Sequence, residues 1–97
     1  MSLTLASSVR VGEDVVFREL DGEAVILNLA SGVYFGLDEV GTRIWQLIEQ
    51  HGGLGDVLAH LREEYDAAPD VLERDLVTLA SQLAAKGLVV IGAEPVE

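Results

Sequence analysis

Several chemical groups are absent or scarce in these 97 residues, and each absence argues against a class of function. There is no cysteine, so disulfides, thiolate metal sites and thiol nucleophiles are excluded. Six Lys and Arg residues stand against 17 Asp and Glu, and the formal net charge of −11 repels nucleic-acid phosphates. No apolar run approaches the roughly 20 residues of a membrane-spanning helix. We expect a cytoplasmic protein that binds neither nucleic acid nor membrane.

Patterns for catalysis and metal binding are equally scarce. The only histidines, His51 and His60, have no neighbouring ligand pattern that would complete a metal site. No glycine-rich phosphate-binding motif occurs, and no serine has a recognisable base partner. The sequence therefore predicts no enzyme, no metal and no cofactor.

The residues that are present fit one domain, since 49% of them are hydrophobic. We expect a loose N-terminal arm over residues 1–12, a single domain over residues 13–91 and a C-terminal tail over residues 92–97.

The first half of the domain predicts a three-stranded antiparallel meander. Two short turn signals, Asp21-Gly22 and Ser31-Gly32, separate runs rich in Val, Ile, Leu, Phe and Tyr. The predicted strands cover residues 14–20, 23–30 and 33–37.

Two-residue loops would fix the register of this meander. Val16 would face Leu27, Val25 would face Arg18, and on the third strand Leu29 would face Tyr34 and Leu27 would face Gly36. Both faces of the sheet are then largely apolar, so we expect both to be partly covered.

From Asp38 the apolar period changes to that of a helix. Asp38 is the expected N-cap of a first helix that ends at Gly52-Gly53, and a second helix runs to about Asp66. In the third helix Asp70 is the expected cap, and Gly87 fits the position after its end. Its core stripe is predicted to hold four leucines: Leu72, Leu76, Leu79 and Leu83. Val89–Ile91 can add a short final strand, and the order defines an α+β domain.

The third strand is the most informative feature. It lies at the edge of the meander, and Val33, Tyr34, Phe35, Gly36 and Leu37 include no charge and no proline to discourage pairing. Such an edge is either covered within the fold, by Val89–Ile91 or the N-terminal arm, or used to accept a strand from a partner. The pattern alone leaves both alternatives open.

The stretch SGVYFGLDEVGTRIWQLI, followed by EEYDA, LERDLVTLASQL and KGLV, resembles the PqqD-like family of precursor-peptide recognition elements. The resemblance implies a winged-helix-like fold of three strands and three helices. It also implies that the leader region of a ribosomally made precursor peptide adds as a strand to the third strand, beside the third helix. The partner enzyme would be a radical SAM enzyme, a leader protease or a similar peptide-modifying enzyme.

Carried onto this sequence, the resemblance places main-chain pairing on the third strand. We expect one flank of the third helix to form the other wall of the site. The predicted peptide-binding residues are Val33, Tyr34, Phe35, Gly36, Leu37, Arg74, Val77, Ala80, Ser81 and Ala84. Two alternatives stay open: a winged-helix DNA-binding regulator and a structural homodimer with a buried third strand. The oligomeric state is open as well.

Overall fold

A computed structural model describes residue 5 and residues 7–92 of the chain. The elements follow one another as β1 (Val9–Val11), β2 (Val15–Leu20), β3 (Glu23–Asn28), β4 (Tyr34–Leu37), α1 (Glu39–His51), α2 (Leu54–Glu64), α3 (Pro69–Ala85) and β5 (Val89–Ile91). The predicted α+β class is confirmed, with a three-stranded meander followed by three helices and a short final strand.

The β2–β3 hairpin follows the sequence prediction. Asp21 and Gly22 both have positive φ, 55° and 82°, as the tight turn requires. Val16 therefore pairs with Leu27, and Arg18 with Val25. This hairpin fixes the frame on which β4 is added.

The connection from β3 to β4 is longer than predicted, and the predicted register was wrong by two residues. The carbonyl of Val33 accepts a hydrogen bond from the amide of Asn28, which leaves a four-residue loop over residues 29–32. The Asn28 side-chain oxygen accepts from the amides of Ala30 and Ser31 at 2.9 and 3.2 Å, and so it holds the loop in place of strand pairing.

As a result, Tyr34 pairs with Leu27 and Gly36 with Val25. A slip of two residues keeps every side chain on its predicted face, because side chains alternate with a period of two.

Local signals set most of the helix ends. The Asp38 carboxylate accepts from the Gly41 amide at 2.8 Å and caps α1, as predicted, and Gly52 ends α1 with φ of 77°. The predicted cap of α3 was wrong, since Ala68 is the N-cap and Asp70 lies in the first turn. Pro69 explains the earlier start, because proline is favoured at the first helical position.

The helices cover one face of the meander. Ala24, Ile26 and Leu37 of this inner face are buried in the core, together with the apolar sides of α1, α2 and α3. Trp45 is fully buried, and its ring stacks on that of Phe17 with centroids 6.1 Å apart. Trp45 is therefore a core residue and not part of a binding surface.

The segment expected to be a loose arm contains a strand. β1 pairs antiparallel with β5, and Val9 is buried against the helices, with its amide bonded to the Gly52 carbonyl at 2.9 Å. The sequence gives little sign of this strand, because it is short and its partner lies about 80 residues away. Residues 1–4 and 6 of the arm and 93–97 of the tail lie outside the described residues.

An ion pair joins the first two helices. The Arg43 guanidinium donates to both carboxylate oxygens of Glu64, at 2.7 and 2.6 Å, and each side chain is about one third exposed. The hydrogen bonds from Arg43 lower the pKa of the Glu64 carboxyl below its ordinary value. This bidentate contact fixes α1 relative to α2.

Candidate functional site: an open strand edge beside a groove

β4 is an open edge in the described part of the chain. The sheet order is β2-β3-β4, and β5 pairs with β1 in a separate two-stranded sheet. Neither β5 nor the described part of the arm therefore covers β4, so within the described residues this edge is free to accept a strand.

The hydrogen bonds of the hairpin show which main-chain groups face outward. Val33 directs its carbonyl to Asn28 of β3, and in an antiparallel pair the direction alternates from residue to residue. Phe35 and Leu37 therefore bond to β3, whereas Tyr34 and Gly36 direct their N–H and C=O groups to the open edge. An added strand would pair with Tyr34 and Gly36.

A groove lies between β4, the start of α1 and one flank of α3. Its volume is about 530 Å³. Apolar side chains from all three elements line it, including Phe35, Leu37, Ile44 and Leu79. We call it the β4–α3 groove. A peptide strand on β4 would direct alternate side chains into it.

The helical wall of this groove is not the flank predicted from the sequence. On α3 the lining residues are Asp75, Thr78, Leu79 and Gln82. Of the predicted set, Arg74, Val77, Ala80, Ser81 and Ala84 do not line the groove, and Ala80 is fully buried in the core. The predicted strand residues Phe35, Gly36 and Leu37 do line it, while Val33 and Tyr34 lie just before them along the chain.

The difference from the predicted flank comes from the position of the core stripe on α3. The buried residues are Leu72, Leu76, Ala80 and Leu83. Leu79, expected in the core, is instead only partly buried and faces the groove, while the smaller Ala80 packs inward. A core stripe that contains Leu79 and one that contains Ala80 both have helical spacing. The sequence prediction placed the larger residue, Leu79, in the core.

Charged side chains lie in the groove and beside it. Asp38 and Asp75 are among the residues that line it. Just after α3, the ammonium of Lys86 lies 5.9 Å from the centre of the Phe35 ring, a distance that allows a cation–π contact. A peptide in the groove would therefore meet two carboxylates, with an ammonium group next to Phe35.

The face of the meander opposite the helices is apolar and uncovered by the described residues. Val16, Val25 and Tyr34 are 43%, 49% and 71% exposed on this outer face. We expected both faces to be partly covered, whereas the described residues leave these three side chains on the outer face exposed. Exposed apolar patches are a common feature of interaction surfaces.

The histidines meet each other and do not form a larger cluster in the described region. The rings of His51 and His60 stack with centroids 4.3 Å apart, a contact that their sequence spacing did not reveal. Within residue 5 and residues 7–92, no group of three or more His, Cys, Asp or Glu side chains could hold a metal ion. Over the same residues, no helix is long and apolar enough to cross a membrane.

The fold and the open edge define a small α+β domain, in which a three-stranded antiparallel meander is followed by three helices and a short final strand. The family model of coenzyme PQQ synthesis protein D (PqqD) matches residues 23–89, and the chain belongs to this family. No match is found among curated proteins.

Two solved structures are similar over most of the chain. One is TbiB1 in complex with the TbiA(beta) leader peptide, with a TM-score of 0.80, 37% identity and coverage of 87% of this chain and 98% of that chain. The other is a lasso peptide synthetase B1 complexed with the leader peptide, with a TM-score of 0.76, 25% identity and coverage of 86% and 98%.

Proposed function

We propose that this chain binds the leader region of a ribosomally made precursor peptide as a fourth strand on β4 and delivers it to a modifying enzyme. One observation carries the proposal: the open β4 edge borders an apolar groove, in a chain 37% identical to a protein solved with a leader peptide. Strand addition suits such an edge because main-chain bonds give affinity and side-chain pockets give specificity.

The edge can supply only part of the binding energy through its main chain. Tyr34 and Gly36 offer up to four hydrogen bonds, each worth about 0.5–1.5 kcal/mol net of water. The side chains that enter the β4–α3 groove, next to Leu79 and Ile44, supply the apolar contribution and the selectivity.

Delivery requires a second surface, and the exposed outer face is our candidate for it. A strand added to β4 would extend this face, so an enzyme docked there would contact the domain and its bound peptide together.

Val16 lies on this face two strands away from β4. A Val16→Glu variant should bind the leader as the parent does but should slow modification by the enzyme encoded beside this gene. Unchanged modification would exclude this docking face.

In this proposal the chain is a non-catalytic partner that works in the cytoplasm, where ribosomal precursors are made. Two of its carboxylates have structural roles, since Glu64 forms an ion pair and Asp38 caps a helix. Chemistry on the peptide would be performed by the enzyme.

The two alternatives make different demands on the surface. A DNA-binding third helix should be basic, whereas the first turns of α3 carry Asp70, Glu73 and Asp75 beside Arg74. A structural homodimer would bury β4 against a second copy. Light scattering separates the homodimer from the leader-binding module, because a dimer whose size does not change on adding peptide would favour the structural role.

Backbone amide NMR tests the proposal directly. The ligand is a synthetic peptide spanning the leader of the precursor encoded beside this gene, and the control is the same peptide with its sequence scrambled. We expect the amide signals of Tyr34 and Gly36 to shift with the leader only, because those two amides face the open edge. Binding that leaves β4 unshifted, or no binding, would refute the proposal.

A further inference from the structure

Gly36 leaves a gap in the outer face of the sheet, at the open edge. It is the last member of a row across the three strands, in which Arg18 pairs with Val25 and Val25 with Gly36. A depression of about 510 Å³ adjoins this row, and Leu20 and Val25 supply its apolar walls.

The glycine is not required by the domain itself. Its φ is not positive, so the backbone conformation is open to any residue. A Cβ atom built at Gly36 would meet nothing within 4 Å, so no described neighbour excludes a side chain. Glycine inside a strand is also destabilising, by roughly 0.5–1 kcal/mol relative to alanine. The described part of the domain therefore does not require glycine here, and the space above Gly36 is open to a residue from another chain.

We infer that a bound leader peptide places an aromatic side chain over Gly36, against Val25 and beside Arg18. The inference rests on the proposed function, since it needs a peptide strand on β4. Residues that pair across neighbouring strands direct their side chains to the same face, so the peptide residue beside Gly36 lies on the outer face. Strands are about 4.8 Å apart, and a ring extending from the peptide over the glycine reaches Val25.

The chemistry of the row favours an aromatic ring over an aliphatic side chain. A ring packed over a cross-strand glycine covers the exposed backbone, which stabilises strand pairs at edge glycines. Arg18 lines the same depression, together with Glu23 and Asp38. A guanidinium can stack on a ring face, a contact that an aliphatic side chain cannot provide.

A substitution that fills the gap gives the sharpest test. Gly36→Val should keep or raise the melting temperature, because a β-branched residue suits a strand and nothing in the domain obstructs it. The same variant should weaken leader binding about tenfold, equivalent to about 1.4 kcal/mol. Val16→Ile is the matched control, since it also adds apolar bulk to the outer face but lies two strands from the edge.

The peptide side of the contact is tested with the leader used in the NMR experiment. Nuclear Overhauser contacts to the Gly36 α protons identify the peptide residue beside it, and we expect that residue to be aromatic. Changing it to alanine should weaken binding to the parent chain about tenfold and to Gly36→Val much less.

The outcomes separate the two proposals. If the Tyr34 and Gly36 amides do not shift with leader, the proposed function fails. If they shift but Gly36→Val binds as tightly as the parent, or the peptide neighbour is small or aliphatic, only the aromatic contact is overturned.

Discussion

A proline at Tyr34 should separate peptide binding from folding, because its amide faces the open edge and not β3. Proline removes an N–H donor, and at Tyr34 that donor serves only an added strand. The side chain is 71% exposed, so its loss costs the core little. The protein should therefore fold with a melting temperature within a few degrees of the parent.

The loss of binding follows from the edge geometry. One net hydrogen bond is worth about 0.5–1.5 kcal/mol, and the proline ring also displaces the incoming strand from pairing distance. We expect about tenfold weaker leader binding or more, measured by calorimetry. Tyr34→Val is the matched control, since it removes the same ring but keeps the amide, and only the excess effect of proline reports on strand pairing.

Phe35→Pro supplies the opposite case. Phe35 bonds to β3 and packs against the core, so this proline removes both a ladder hydrogen bond and a packed aromatic ring. It should destabilise the fold by about 3 kcal/mol or more. For a domain of this size that lowers the melting temperature by more than about 12 °C. If Tyr34→Pro unfolded the domain while Phe35→Pro did not, the assignment of inward and outward amides would be wrong.

Three further predictions concern the supports of the site. Asn28→Ala should lower the free energy of unfolding by about 1–2 kcal/mol in chemical denaturation, because the side chain holds the β3–β4 loop and also donates to the Gly87 carbonyl at 2.9 Å. Asp38→Ala should cost about 1 kcal/mol by the same measurement, through loss of the α1 cap. Glu64→Gln should cost about 0.5–1 kcal/mol at neutral pH, since the exposed pair with Arg43 is screened by solvent. Because the pKa of Glu64 is lowered in the folded state, its contribution is present above the ordinary glutamate pKa of about 4.3 and is lost as pH falls through the folded value. A constant difference between parent and variant down to acid pH would contradict that assignment.

The sequence predicted elements with strong local signals. The Asp21-Gly22 turn, the Asp38 cap and the glycine after α3 each act within a few residues, and all three occur where expected. Strand β1 was missed because its only evidence is a partner distant in the chain.

The site was predicted less completely than the fold. The open edge was found because its residues lack charge, but the register of β4 depended on a side chain, Asn28, that competes with strand pairing. The groove wall depended on whether Leu79 or Ala80 faces the core, and helical spacing allows both. The packing of α3 against α2 and β5 decides between them, and that packing involves residues distant in the sequence.

The net charge of the chain opposes the pairing of two β4 edges. Two copies of this chain each carry a formal net charge of −11, so pairing one β4 edge with another brings like charges together. On β2, the opposite edge of the sheet, Arg18 and Glu19 discourage pairing locally. Side-chain charges thus oppose pairing at the β2 edge, whereas at the β4 edge only the repulsion between net charges does so. That repulsion acts against a second copy of the chain but not against a less acidic peptide. That asymmetry favours a foreign strand on β4 over self-association.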